Sequence, residues 1–205
     1  MKILALDSST SIASIAFLEY QSSGEEKILF HFNQTQQRTN SSIFFEGLET
    51  VLQQCGKPDR VVVGLGPGSY NGLRSSIAAA QGLASACNIE LIGLPSILGL
   101  EAGARECWVV GDARGGQYWL AALSHHQLLE EPFLLAPADL PDHLKRYPHF
   151  SLVASQELPN LPSSLKLTIQ TPNAGILARQ GKHATPSASL EPLYLKQPHI
   201  TKPRP

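Results

Sequence analysis

Two stretches of the chain share one grammar. Residues 3–18, "ILALDSSTSIASIAFL", give an apolar run, an aspartate, a small-residue turn and a second apolar run. Residues 107–123, "CWVVGDARGGQYWLAAL", repeat that order. The aspartates Asp7 and Asp112 are 112 − 7 = 105 residues apart in a chain of 205. A repeat at half the length predicts a duplication, with one α/β lobe per half. The expected division is an N-terminal lobe over residues 1–104 and a smaller C-terminal lobe over 105–205.

The first half spells out its elements. Residues 3–6 are apolar without alternation and end in Asp7-Ser8-Ser9-Thr10, which suits a strand covered on both faces. Residues 12–18 and 27–32 supply two more strands, making a meander. From Thr39 to Cys55 the period becomes helical. Thr39 to Ser42 offer cap oxygens, and Gly56 and Pro58 close the end. Strand 61–65 and helix 70–86 follow, the helix built largely from Ser, Ala and Gly. Strand 91–93 and a short helix from Ser96 to Ala104 complete this half. Beyond the repeated unit, the pattern predicts a helix after Asp139, a strand at 151–154, a helix over 172–182 and an extended piece at 193–195.

Between strand and small-residue helix lies "GLGPGSYNGLR", residues 64–74. It is not a Walker loop, since no Gly-Lys follows and the first cation is Arg74. Nor is it a dinucleotide fingerprint, since Asn71 takes the third glycine's place and Gly72 comes one position late. Two readings stay open. Gly66, Gly68 and Ser69 offer backbone amides at a helix start to an oxyanion, or the turn is a tight connection without a ligand. Asp7 and Asp112 are likewise open. They face metal-bound phosphate across a cleft, or each accepts backbone N–H groups in its own turn. The first needs a divalent cation, because two unit charges at ~4 Å interact by ~4 kcal/mol at an effective dielectric near 20.

Composition narrows the chemistry. A formal net charge of −1 argues against a surface that coats nucleic acid, although Lys196, Lys202 and Arg204 gather near the end. Three separated cysteines without a C-x-x-C pair read as reduced thiols. Seven histidines include no H-x-x-x-H, so no helix-borne metal pair is expected. No apolar run reaches the ~18 residues a membrane span needs, and a cytoplasmic protein is expected. A nucleophile elbow is absent as well.

Four motifs in order, "ILALDSST", "GLGPGSYNGLRSSIAAAQGLA", "VVGDARGGQYW" and "EPLYLK", resemble the TsaB (YeaZ) family. These are the non-catalytic subunits of the bacterial machinery that makes threonylcarbamoyladenosine at position 37 of tRNA. The resemblance implies an α/β, actin-like (ASKHA, ribonuclease H-like) fold of two related lobes and no transferase activity in this chain alone. It implies a TsaD-like catalytic partner, a TsaE-like ATPase, homodimers when the chain is alone, and tRNA reached through the complex. No cofactor is implied for the isolated chain; ATP or ADP with magnesium belongs to the complex. The implied partner surface lies on helices 39–55 and 70–86, on Phe44, Phe45, Leu48, Leu73, Arg74, Ile77, Ala78 and Gln81. Thr39-Asn40 and Asn71 depart from the family pattern in or beside that surface. The alternative function is an autonomous ATP-dependent small-molecule kinase or ATPase of the actin/hexokinase superfamily, using Asp7, Gly66, Gly68, Ser69 and Asp112.

Overall fold

The computed structural model describes residues 1–35, 41–158, 160–187 and 190–196. The expected cap residues Thr39 and Asn40, and the basic residues Lys202 and Arg204, lie outside them. The first half forms β1 (Lys2–Asp7), β2 (Ile12–Tyr20), β3 (Glu26–Thr35), α1 (Ser42–Cys55), β4 (Arg60–Gly64), α2 (Tyr70–Cys87) and β5 (Glu90–Leu94). The second forms β6 (Glu106–Asp112), β7 (Tyr118–Ser124), β8 (Gln127–Leu135), α3 (Leu140–Leu144), β9 (Ser151–Ala154), β10 (Leu167–Ile169) and α4 (Ala174–Gly181).

The strands make two five-stranded sheets, ordered β3-β2-β1-β4-β5 and β8-β7-β6-β9-β10. In each, the first strand pairs antiparallel with the second and parallel with the fourth. Leu4 stands opposite Phe17 and Val61, and Trp108 stands opposite Ala122 and Leu152. The same topology twice in one chain is the duplicated, ribonuclease H-like arrangement of an actin-like α/β fold. Asp7 and Asp112 end the equivalent strands β1 and β6.

Burial explains the unbroken apolar runs. Leu4 and Leu6 of β1, with Val61 and Val63 of β4, enter a core with Phe44, Leu48 and Val51 of α1 and Leu73, Ile77 and Ala80 of α2. Ile3, Ala5 and Val62 point to the opposite face, against Ala174, Leu177 and Ala178 of α4. A strand at the middle of a covered sheet has no polar side, so alternation vanishes. Helix α4 follows the second sheet in sequence but packs on the first.

Three local expectations change. The segment 96–104 is two 3-10 turns, Ser96–Gly99 and Glu101–Ala104, in place of one helix. Ser41 occupies the N-cap of α1 without a side-chain cap bond, and its hydroxyl lies 3.2 Å from that of Ser75 on α2. Residues 193–195 join no sheet; the Leu193 amide donates to the Leu65 carbonyl at 2.8 Å.

Candidate functional site: the strand-end turns and the outer face of α1 and α2

The glycine turn rests on the first aspartate turn. The Ser69 hydroxyl accepts from the Gly72 amide at 3.3 Å, and the Ser69 amide donates to the Ser9 carbonyl at 2.6 Å. A Cβ on Gly68 would stand 2.1 Å from the Ser9 oxygen, and one on Gly72 would stand 1.9 Å from the Ser8 oxygen. These glycines let the first turn of α2 lie backbone to backbone on residues 8 and 9. Gly66 is fixed from the other side, its amide donating to the Ser96 hydroxyl at 2.9 Å and its carbonyl accepting from the Ser96 amide at 2.7 Å.

Asp7 lies beneath this arrangement and is 1% exposed. Its Oδ1 accepts from the Ser9 amide at 3.0 Å and the Ser9 hydroxyl at 2.7 Å. Its Oδ2 is buried without a hydrogen-bond partner. Burial pushes the carboxyl above its usual range, and the neighbouring Ser96 and Ser9 groups pull against that shift without cancelling it. Asp112 makes the same i to i+2 bond, accepting from the Arg114 amide at 2.7 Å, but its side is exposed. It stands opposite Tyr118, whose hydroxyl is pushed up first by burial and then by the Asp112 charge. Topologically equivalent, the two aspartates have opposite settings. The covered carboxylate of Asp7 does not form a solvent-facing acidic pair with Asp112. Among the described residues no group of three His, Cys, Asp or Glu side chains is placed to hold a metal ion, and no helix is long and apolar enough to cross a membrane.

The two helices divide the remaining candidates. Phe44, Leu48, Leu73 and Ile77 are buried in the lobe's own core. Their spacing marks the apolar face correctly, but that face turns inward. Phe45, Arg74, Ala78 and Gln81 are exposed. Phe45 keeps 48% of its surface accessible and meets Phe44 edge to face at 5.3 Å. Ala78, Gly82 and Ala86 continue along the open side of α2, with Glu46 and Glu49 exposed on α1. At the start of α2, the Arg74 guanidinium donates to the Tyr70 hydroxyl at 2.7 Å, and the Tyr194 ring stacks on Tyr70 at 5.3 Å.

Three residues here escape sequence reasoning. Ser96 binds both polar atoms of Gly66 from thirty positions away, and no local pattern marks it. Gly64 carries the Asp7 side chain across its bare α-carbon. Tyr194 sits within "EPLYLK", the one signal that pointed to it.

Comparison with known proteins fits this architecture. The family model described as TsaD, tRNA N6-adenosine threonylcarbamoyltransferase, matches residues 31–172, more than half of the chain. The tRNA threonylcarbamoyladenosine biosynthesis protein TsaB of Haemophilus influenzae is 32% identical over 110 residues, covering 52% of this chain and 44% of that protein. Its Escherichia coli counterpart is 28% identical over 130 residues, covering 58% and 54%. The matched stretches therefore span about half the length of these curated relatives. The solved YeaZ of Pseudomonas aeruginosa superposes with a TM-score of 0.72 at 20% identity, over 95% of this chain and 99% of that one. A second structure, a protein with similarity to peptidase YeaZ from the same organism, gives 0.71 at 19% over the same shares. Those two likenesses establish a shared fold. With the family model, the curated relatives and the motif order in agreement, the chain belongs to the TsaD-type tRNA N6-adenosine threonylcarbamoyltransferase family, among its TsaB (YeaZ) members.

Proposed function

We propose that this chain is a non-catalytic subunit that binds and supports a TsaD-type catalytic subunit in the threonylcarbamoylation of adenosine 37 of tRNA. The observation that carries the reading is the outer face of α1 and α2. There an exposed phenylalanine, Phe45, accompanies the small side chains of Ala78, Gly82 and Ala86. Small residues let a partner backbone approach, and an aromatic anchor beside them supplies apolar area. A standard interface covers ~1,600 Å² in total, which two helices per side supply. The same face, being self-complementary under a two-fold axis, makes the homodimer when the chain is alone. The names of the curated relatives point to the same modification.

A supporting role also suits the strand-end turns. The Asp7 carboxyl is covered, and one of its oxygens, Oδ1, is bonded within its own turn. Phosphate chemistry with ATP or ADP and magnesium then belongs to the assembled complex, which includes a TsaE-type ATPase and through which tRNA is met in the cytoplasm. The test is reconstitution of the modification from purified TsaD-type and TsaE-type proteins, with and without this chain. Dependence on the chain, with no turnover by it alone, is expected. Equal modification in its absence overturns the reading.

A further inference from the structure

The last described segment, residues 190–196, touches both lobes within seven residues. Leu190 is buried in the core beneath α1 and α2. The Leu193 amide donates to the Leu65 carbonyl in the glycine turn at 2.8 Å, and Tyr194 stacks on Tyr70 at the start of α2. Leu195 then packs with the second lobe's cluster of Cys107, Val109 and Trp119. Finally, the Lys196 ammonium donates to the Arg114 carbonyl at 2.6 Å. That carbonyl belongs to the Asp112 turn, because the Arg114 amide is the donor to Asp112.

These contacts join the glycine turn of the first lobe to the aspartate turn of the second. The chain otherwise passes between the sheets through residues 95–105 and 170–173. A lobe pair held only by its crossings rotates about them as a hinge, whereas a third tie at a distance from them restrains that rotation. We propose that residues 190–196 are a latch that fixes the lobes relative to one another by clamping the glycine turn of the first to the aspartate turn of the second. Each end of the latch uses a different interaction. A backbone bond and an aromatic stack hold the first lobe, while an apolar side chain and a charge-assisted bond hold the second. Because Tyr194 covers the first residue of α2, a partner seated on that helix meets the latch directly; this last clause rests on the function proposed above.

The test is hydrogen exchange on the full-length chain without any partner, so its outcome is separate from the fate of the proposed function. Lys196→Ala removes one attachment in the second lobe. Exchange is expected to rise by about tenfold in amides of both 112–118 and 64–73, since losing a charge-assisted bond loosens what it holds. Lys196→Arg, which keeps a donor for the Arg114 carbonyl, should restore the wild-type pattern. Faster exchange confined to 112–118 overturns the latch. So does no change at all, or a general rise that Lys196→Arg fails to reverse.

Discussion

The Asp7 carboxylate lies across the bare α-carbon of Gly64, so closely that a methyl group there would stand 1.8 Å from Oδ2. That oxygen is buried and unpaired, while Oδ1 already holds the Ser9 amide and hydroxyl. The wild-type carboxylate therefore carries a desolvation cost that an amide of the same shape avoids.

Asp7→Asn is expected to stabilise the chain at neutral pH, because it keeps the shape of the side chain and removes the desolvation of a buried negative charge. The sign of the pH dependence follows from the raised carboxyl pKa. A group with a higher pKa folded than unfolded contributes fully below its unfolded value and loses that contribution as pH rises through its folded value. The stability gap between variant and wild type should thus widen as pH rises above 3.8, the ordinary value for this group. Urea denaturation at several pH values reads it; a gap that is constant or narrows with pH contradicts the assignment.

Two glycines of α2 should respond oppositely to the same substitution. Gly72→Ala places a methyl group against the Ser8 carbonyl oxygen, a backbone atom without a rotamer to move, and should cost about 2–3 kcal/mol. Gly82→Ala meets nothing within 4 Å and lies on the exposed side, so it should gain about 0.5–1 kcal/mol from helix propensity. Thermal melts of the two variants beside wild type decide the matter, and a matched response would mean that the close approach at Ser8 is not what requires Gly72.

The difference between these glycines marks where the sequence was legible. Strands β1 and β4 announced themselves because burial on both faces removes alternation, and β1 and β6 because the aspartate turn is repeated. β8 escaped because it is an edge strand containing Pro132, with register shifts around Ala122 that break a simple two-residue period. β10 is three residues long, too short to show any period. On α1 and α2 the periodic apolar residues were visible, yet periodicity marks the side facing the lobe's own sheet. A contact surface is the complement of that stripe, which is why Phe44, Leu48, Leu73 and Ile77 belong inside. Partners distant in sequence, such as Ser96 on Gly66, leave no local trace.

Arg60 shows a similar long-range device. Its guanidinium donates to the carbonyls of Gly181, Lys182 and Ala184 at 3.0, 2.9 and 3.2 Å, closing the C-terminal end of α4, and it pairs with Glu90 on β5. A cation at that end also meets the negative pole of the helix. Arg60→Ala should cost about 2–3 kcal/mol by removing charge-assisted bonds to several acceptors. Arg60→Lys recovers part of this, since one ammonium cannot reproduce the fork. Loss confined to local exchange protection in 174–184, with no change in global stability, would show that α4 is dispensable to the first sheet.

The outer helix face is tested by two adjacent residues with opposite burial. Ala78 is exposed, whereas Ile77 is 5% exposed and packed in the core. A carboxylate at 78 remains hydrated in the isolated chain, so Ala78→Glu should leave the melting temperature within a degree or two of wild type. Brought against a partner helix, the same charge is desolvated unpaired, and association should weaken by at least about tenfold. Ile77→Asp instead inserts its charge into the first lobe and should cost roughly 3–5 kcal/mol, so any loss of association there reports unfolding. Gel filtration and melting curves on both variants separate the cases. If Ala78→Glu associates as wild type does, with itself and with a TsaD-type partner, the contact face lies elsewhere on the molecule.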